Sequence, residues 1–173
     1  MISVAVAELS AAAAAAVVRP VSAEWEAVTP ASRRVEKAAG PDVERHRRAL
    51  GELPVGSAVV TPGGAIAADF IIHVVVRSRD EPVSASGVAR GIETALRRLV
   101  EWGIASAAFA PLGTGAGNLD AEEAARLMIP RLLAHVGHEA HPERVEIIVE
   151  TEYERDVFAA ELRRASGGES GTR

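Results

Sequence analysis

The chain has 173 residues and a net charge of −5, with 48% hydrophobic and 25% charged residues, which suits one globular domain with a substantial core. The acidic balance argues against general affinity for nucleic acid or anionic membranes, so any anion site must be local. The lack of cysteine excludes disulfides and thiolate metal sites; with no basic N-terminal region, and with Ala11–Val18 too short and too weakly apolar to span a bilayer, the expected location is the cytoplasm.

Ile2–Ala7 alternates as a short strand does. Ala11–Ala16 has helical propensity but runs into Val17-Val18 and meets Pro20, so pattern alone leaves it open. Thr29-Pro30 reads as an N-cap with proline at the first helical position, opening a helix that ends at Gly40. A polar helix, Asp42–Leu50, follows. Ser57–Thr61 and Asp69–Arg77 read as strands around a Pro62-Gly63-Gly64 turn, and the unbroken apolar run from Phe70 marks the second as covered on both faces. Ser86–Trp102 is a helix with Val88, Ile92, Ala95, Leu96, Leu99 and Val100 on one face.

Ala105–Leu112 is the strand that feeds Gly113-Thr114-Gly115-Ala116-Gly117-Asn118. Glycines at alternate positions allow several backbone N–H groups to converge on one point, and a helix begins directly afterwards. That arrangement favours phosphate, and a diphosphate more so. A ligand-free strand-to-helix turn is the alternative on this segment alone. Asp120 with Glu123 forms a capping box, and the helix it opens ends near Gly137. Arg144–Val149 is a buried strand and Tyr153–Arg164 an amphipathic helix. The Gly/Ser-rich stretch 165–173 is expected to be disordered, leaving residues 1–164 as the domain. Strands separated by helices imply an α/β fold with a mostly parallel sheet, covered on both faces and binding ligands at the carboxyl ends of its strands.

With these motifs in this order, the chain resembles the macro domain family, which binds ADP-ribose. The glycine loop resembles the family's second phosphate-binding loop. Ser57-Ala58-Val59-Val60-Thr61 and Phe70-Ile71-Ile72-His73 resemble its central strand pair, and Lys37-Ala38-Ala39-Gly40 the end of its first helix. The resemblance implies a three-layer α/β/α fold with a mixed, mostly parallel sheet. Its implied ligand is ADP-ribose or a related nucleotide diphosphate, with an ADP-ribosylated protein as a further partner.

Carried over position by position, the resemblance implies ligand contacts at Glu8 and Leu9, Arg19 and Ser22, Thr29 and Ala31. To these it adds the loop Gly113, Thr114, Gly115, Ala116, Gly117 and Asn118, and Tyr153. Glu8, in Glu8-Leu9-Ser10, stands where the family has an aspartate that reads the adenine amino group. Tyr153 stands where an aromatic ring often stacks on adenine.

Two departures weaken the transfer of activity. Arg19-Pro20-Val21-Ser22 replaces Asn-Ala-Ala-Asn, and Ala27-Val28-Thr29-Pro30-Ala31 replaces a glycine run. Branched residues and a proline without an N–H restrict close approach to phosphate. Arg19 is open to two readings, a bidentate phosphate contact or an ion pair with Glu24 or Glu26. No catalytic residue is assigned, so a ligand-free interaction module and a hydrolase with a rearranged site remain as rival functions.

No metal site or cofactor is expected. His135, His138 and His141 fall at a helix end, where the dipole accounts for them. His73 reads as a core histidine with a hydrogen-bond partner, Phe158 as core, and Arg45, Arg47 and Arg48 as a solvated face.

Overall fold

The computed structural model describes residues 1–167, and every element boundary follows from local chemistry that the fold then overrides at a few points. In chain order these are β1 (Ile2–Val6), β2 (Ala16–Ser22), α1 (Pro30–Ala39), α2 (Asp42–Leu50), β3 (Ala58–Pro62), β4 (Phe70–Arg77), α3 (Ala85–Glu101), β5 (Ser106–Phe109), α4 (Ala121–His138), β6 (Arg144–Val149) and α5 (Glu152–Gly167). The six strands form one sheet in the order β1-β6-β5-β2-β4-β3. All neighbours are parallel except β3 against β4.

Strand alternation divides the core into two layers. Val18, Ile72, Ala107 and Ile147 face α3, α4 and α5, packing with Ile92, Leu99, Met128 and Phe158. Their successors or predecessors Val17, Ile71, Ala108 and Ile148 face α1 and α2, packing with Val35 and Val43. Helices therefore cover both faces, and every fully parallel strand position near the centre is dry.

The open segment before Pro20 resolves as a strand. A 3₁₀ turn at Leu9–Ala11 leads into β2, whose seven residues are all buried between β4 and β5. Burial on both faces outweighs alanine's helical propensity. Proline is tolerated in this central strand because the β2–β5 ladder ends at Val18–Phe109, so at Pro20 no ladder hydrogen bond is lost on that side. Several boundaries shift by a residue, and three shifts have a clear local reason or consequence. β5 is shorter than Ala105–Leu112, since Ala110 N–H makes its last bond to Val18 and Pro111 follows. α4 continues through Gly137 to His138. α5 runs on to Gly167, so residues 165–167 of the stretch expected to be disordered are helical; residues 168–173 lie outside the described residues.

Candidate functional site

The carboxyl ends of the five parallel strands β1, β2, β4, β5 and β6 release their loops on one edge of the sheet, the glycine loop after β5 among them. Gly113, Gly115 and Gly117 have φ of 90°, 123° and 78°, a region closed to most side chains. At Gly113 a Cβ would lie 2.6 Å from Val88 Cγ2, so glycine also lets the loop seat on α3. Asn118 N–H turns back to Gly115 O at 3.0 Å, Leu119 N–H to Gly113 O at 3.0 Å, and Asn118 Nδ2 donates to Thr114 O at 3.4 Å. After these bonds, the N–H groups of Gly113, Thr114, Gly115, Ala116 and Gly117 have no acceptor among the described residues. Five consecutive amides of this turn thus lack an internal acceptor, in a backbone that glycine keeps in the left-handed region. The dipole of α4 contributes less than its position suggests. Asp120 Oδ1 accepts from Glu123 N–H at 2.8 Å and Glu123 Oε2 from Asp120 N–H at 2.9 Å, so two carboxylates already occupy that helix end.

Across from this turn stands the start of α1. A Cβ on Gly115 would come 3.2 Å from Val28 O and 4.0 Å from Thr29 Cγ2, so the two loops lie side by side. Thr29 Oγ1 caps Ser32 N–H at 3.2 Å, Arg33 N–H reaches Thr29 O, and Pro30 has no N–H. The N–H groups of Thr29 and Ala31 are left without an acceptor among the described residues. The preceding loop is locked by Ser22: its N–H donates to Glu26 O at 2.8 Å, and its Oγ accepts from Glu26 N–H at 3.1 Å. Between them Trp25 adopts φ 70°, unusual for a bulky residue, and is held there by Nε1–H to Gly51 O at 3.0 Å and by its ring against His73.

Arg19 does not reach this edge, which corrects both readings of it. Odd-numbered positions of β2 face α1, and the Arg19 side chain is fully buried there. Its Nη1 pairs with Glu36 Oε2 at 3.1 Å, not with Glu24 or Glu26, and its Nε donates to His73 Nδ1 at 2.9 Å. Burial pushes the guanidinium below its ordinary pKa, and Glu36 opposes that shift. Because Arg Nε can only donate, His73 Nδ1 is the acceptor and the ring proton sits on Nε2, which donates to Thr61 Oγ1 at 2.8 Å. Burial first, then the Arg19 charge, hold His73 well below the ordinary histidine value. Glu36–Arg19–His73–Thr61 is thus a buried polar chain bracing α1 on the sheet.

At the β1 and β6 ends, Glu8 Oε2 accepts from Arg34 Nε at 2.8 Å, while Oε1 accepts from Ser10 Oγ at 3.2 Å. Arg34 also pairs with Glu150. Leu9 is buried at 1% exposure and Ala31 at 7%, so each can offer a ligand little beyond its backbone. Tyr153 is 62% exposed on the first turn of α5, its hydroxyl donating to Glu122, whose carboxylate raises the phenol pKa.

Beyond the glycine loop lies a cleft of about 460 Å³, lined by Ser22, Glu24, Glu26, Arg77, Arg79 and Asn118 among others. Glu24 is held below the usual carboxylate range by its own backbone N–H and by Ser22. Ser22 and Asn118 were expected at the site; Arg77 and Arg79 were not, although the end of a buried parallel strand is where such residues gather. The Arg34–Glu150 pair left no signal, being 116 residues apart in sequence. Among the described residues no group of three or more potential metal ligands exists, and no helix is long and apolar enough to cross a membrane.

The sequence profile of the macro domain matches residues 26–128, well over half the chain and spanning α1 to α4. The chain belongs to the macro domain family. Its structure superposes on the Oceanobacillus iheyensis macrodomain solved with MES bound at a TM-score of 0.86, covering 95% of this chain and 92% of the other at 17% identity. The Trypanosoma brucei macrodomain, solved in complex with ADP-ribose, gives a TM-score of 0.82 at 15% identity, covering 92% of this chain and 68% of that one. At these identities the likeness is one of fold. An uncharacterized protein of Aeropyrum pernix is 31% identical over 129 residues, 73% of this chain and 67% of its own length. An uncharacterized protein of Mycobacterium tuberculosis is 30% identical over 101 residues, 58% of this chain; that match spans only 28% of the mycobacterial protein.

Proposed function

We propose that this macro domain binds ADP-ribose or a closely related nucleotide diphosphate along the carboxyl edge of its sheet. The observation that carries the reading is the run of five unpaired N–H groups from Gly113 to Gly117, facing the start of α1. Macrodomains of the same fold, solved with ADP from Oceanobacillus iheyensis and with ADP-ribose from Trypanosoma brucei, support the choice of ligand.

In this reading the diphosphate rests on the Gly113–Asn118 backbone, with Ala31 N–H as a donor from the opposite loop. Adenine lies toward Tyr153, for stacking, and toward Glu8, whose carboxylate accepts from the exocyclic amine. Glu8 is shared with Arg34, so adenine binding competes with an ion pair already made. The distal ribose enters the cleft of Ser22 and Asn118.

Replacing Gly115 with glutamate tests the cradle. The residue would be strained at φ 123°, its Cβ 3.2 Å from Val28 O, and its charge would oppose phosphate. The expected result is saturable ADP-ribose binding by the native chain and loss of at least about tenfold in Gly115→Glu, about 1.4 kcal/mol or more. Equal binding by both would place the ligand elsewhere. Turnover of an ADP-ribosylated substrate, lost with the same substitution, would select a hydrolase instead.

A further inference from the structure

We infer that the groove leading away from the distal end of this site receives an acidic peptide segment. The inference rests on the nucleotide reading for the direction from which that segment arrives. Glu26 and Arg77 stand at the border of the distal cleft. The same two residues line a second groove of about 490 Å³, whose remaining charged walls are Arg33, Glu36, Lys37 and Arg47.

Two of these charges are already answered within the fold, Glu36 by Arg19 and Arg47 by Glu44. Arg33, Lys37 and Arg77 enter no ion pair among the described residues, and neither does Glu26. Three free cations therefore face one free carboxylate, in a chain that is acidic as a whole. On its other flank the cleft shares Glu24, Ser78 and Arg79 with a groove walled by Glu52, Asp80 and Glu81, of which Glu81 is answered by Arg90. An anionic chain attached at the distal end is attracted along one exit and repelled along the other.

The occupant is a peptide, not a nucleic acid. Glu26 and Glu36 interrupt the cationic walls, which a regular string of phosphates would meet at close spacing. The exposed aromatic rings, Trp102 and Tyr153, are not among those walls, so no stacking platform for bases exists there. Acidic side chains on a flexible peptide can settle against Arg33, Lys37 and Arg77 while avoiding Glu26.

The test measures fluorescence anisotropy at low salt with three labelled probes: an octapeptide alternating glycine and glutamate, its glycine–lysine counterpart, and octauridylate. Free ADP-ribose is titrated separately into the same protein. The glutamate peptide is expected to bind about tenfold more tightly than either other probe. The double variant Arg33→Ala, Lys37→Ala, both on the exposed face of α1, should erase that preference and leave ADP-ribose binding unchanged. A glutamate peptide that binds no better than the lysine peptide overturns the inference. So does tighter binding of octauridylate, or a preference that survives in the double variant. Glutamate-peptide binding without ADP-ribose binding would support the groove and overturn the nucleotide reading alone.

Discussion

Arg19 stands where the family has asparagine, and what it does there is structural. A fully buried guanidinium keeps its charge because Glu36 lies 3.1 Å away with the opposite one. Removing that counter-charge strands the cation. Glu36→Gln is therefore expected to lower unfolding stability by about 2 to 3 kcal/mol, less than a wholly buried pair would lose because Glu36 is partly solvated. Glu44→Gln, whose partners Arg47 and Arg48 are exposed, should cost under about 1 kcal/mol. Urea unfolding of the two variants checks the contrast, and equal losses would contradict it.

His73 is buried and neutral in the folded state, its pKa well below the ordinary value of 6.5, and it regains that value on unfolding. The unfolded chain then binds a proton that the native chain refuses. Its contribution is complete above about pH 6.5 and is lost as the pH falls below it, at up to about 1.4 kcal/mol per unit. Between pH 6.5 and 5 the native chain should lose stability in this way, and His73→Gln should flatten the slope. An unchanged slope in the variant would contradict the assignment. That His73 would find a partner was legible in its apolar run. That the partner is Arg19 was not, because it depends on strand register, Arg19 lying opposite His73 in the β2–β4 ladder.

At the scale of elements, capping chemistry and apolar periodicity gave the helices nearly to the residue. Thr29 and Asp120 each cap the helix that their side chains announce, while the cap at Ser84 sets the start of α3 one residue before the expected Ser86. The alanine-rich stretch before β2 stayed open because its fate depends on two neighbouring strands, not on its own propensity. The glycine loop was legible as a turn between strand and helix, and its left-handed backbone at Gly113, Gly115 and Gly117 follows from the glycines themselves. The first loop was legible only as a departure from the family's glycine run, and Trp25 at φ 70° carries no signature in the sequence. Asp120 separates scaffold from ligand. Asp120→Ala should cost about 1 kcal/mol of stability through the lost cap, with ADP-ribose affinity unchanged or improved as a carboxylate leaves the loop's edge. Calorimetry alongside thermal unfolding measures both, and a variant of full stability that no longer binds would make Asp120 part of the site.

The whole molecule joins a conventional macro sheet to an altered binding edge. The two layers, the strand order and the position of the glycine loop follow the family. The asparagines and the first glycine run are replaced by a buried ion pair and a locked turn. In the proposed function, diphosphate recognition rests mainly on the glycine loop after β5, and the central question is whether that loop suffices. Calorimetric titration with ADP-ribose, with AMP as the control, tests this most directly. The account predicts micromolar binding of ADP-ribose and much weaker binding of AMP. No heat from either ligand at millimolar concentration would contradict it and leave a macro fold put to another use.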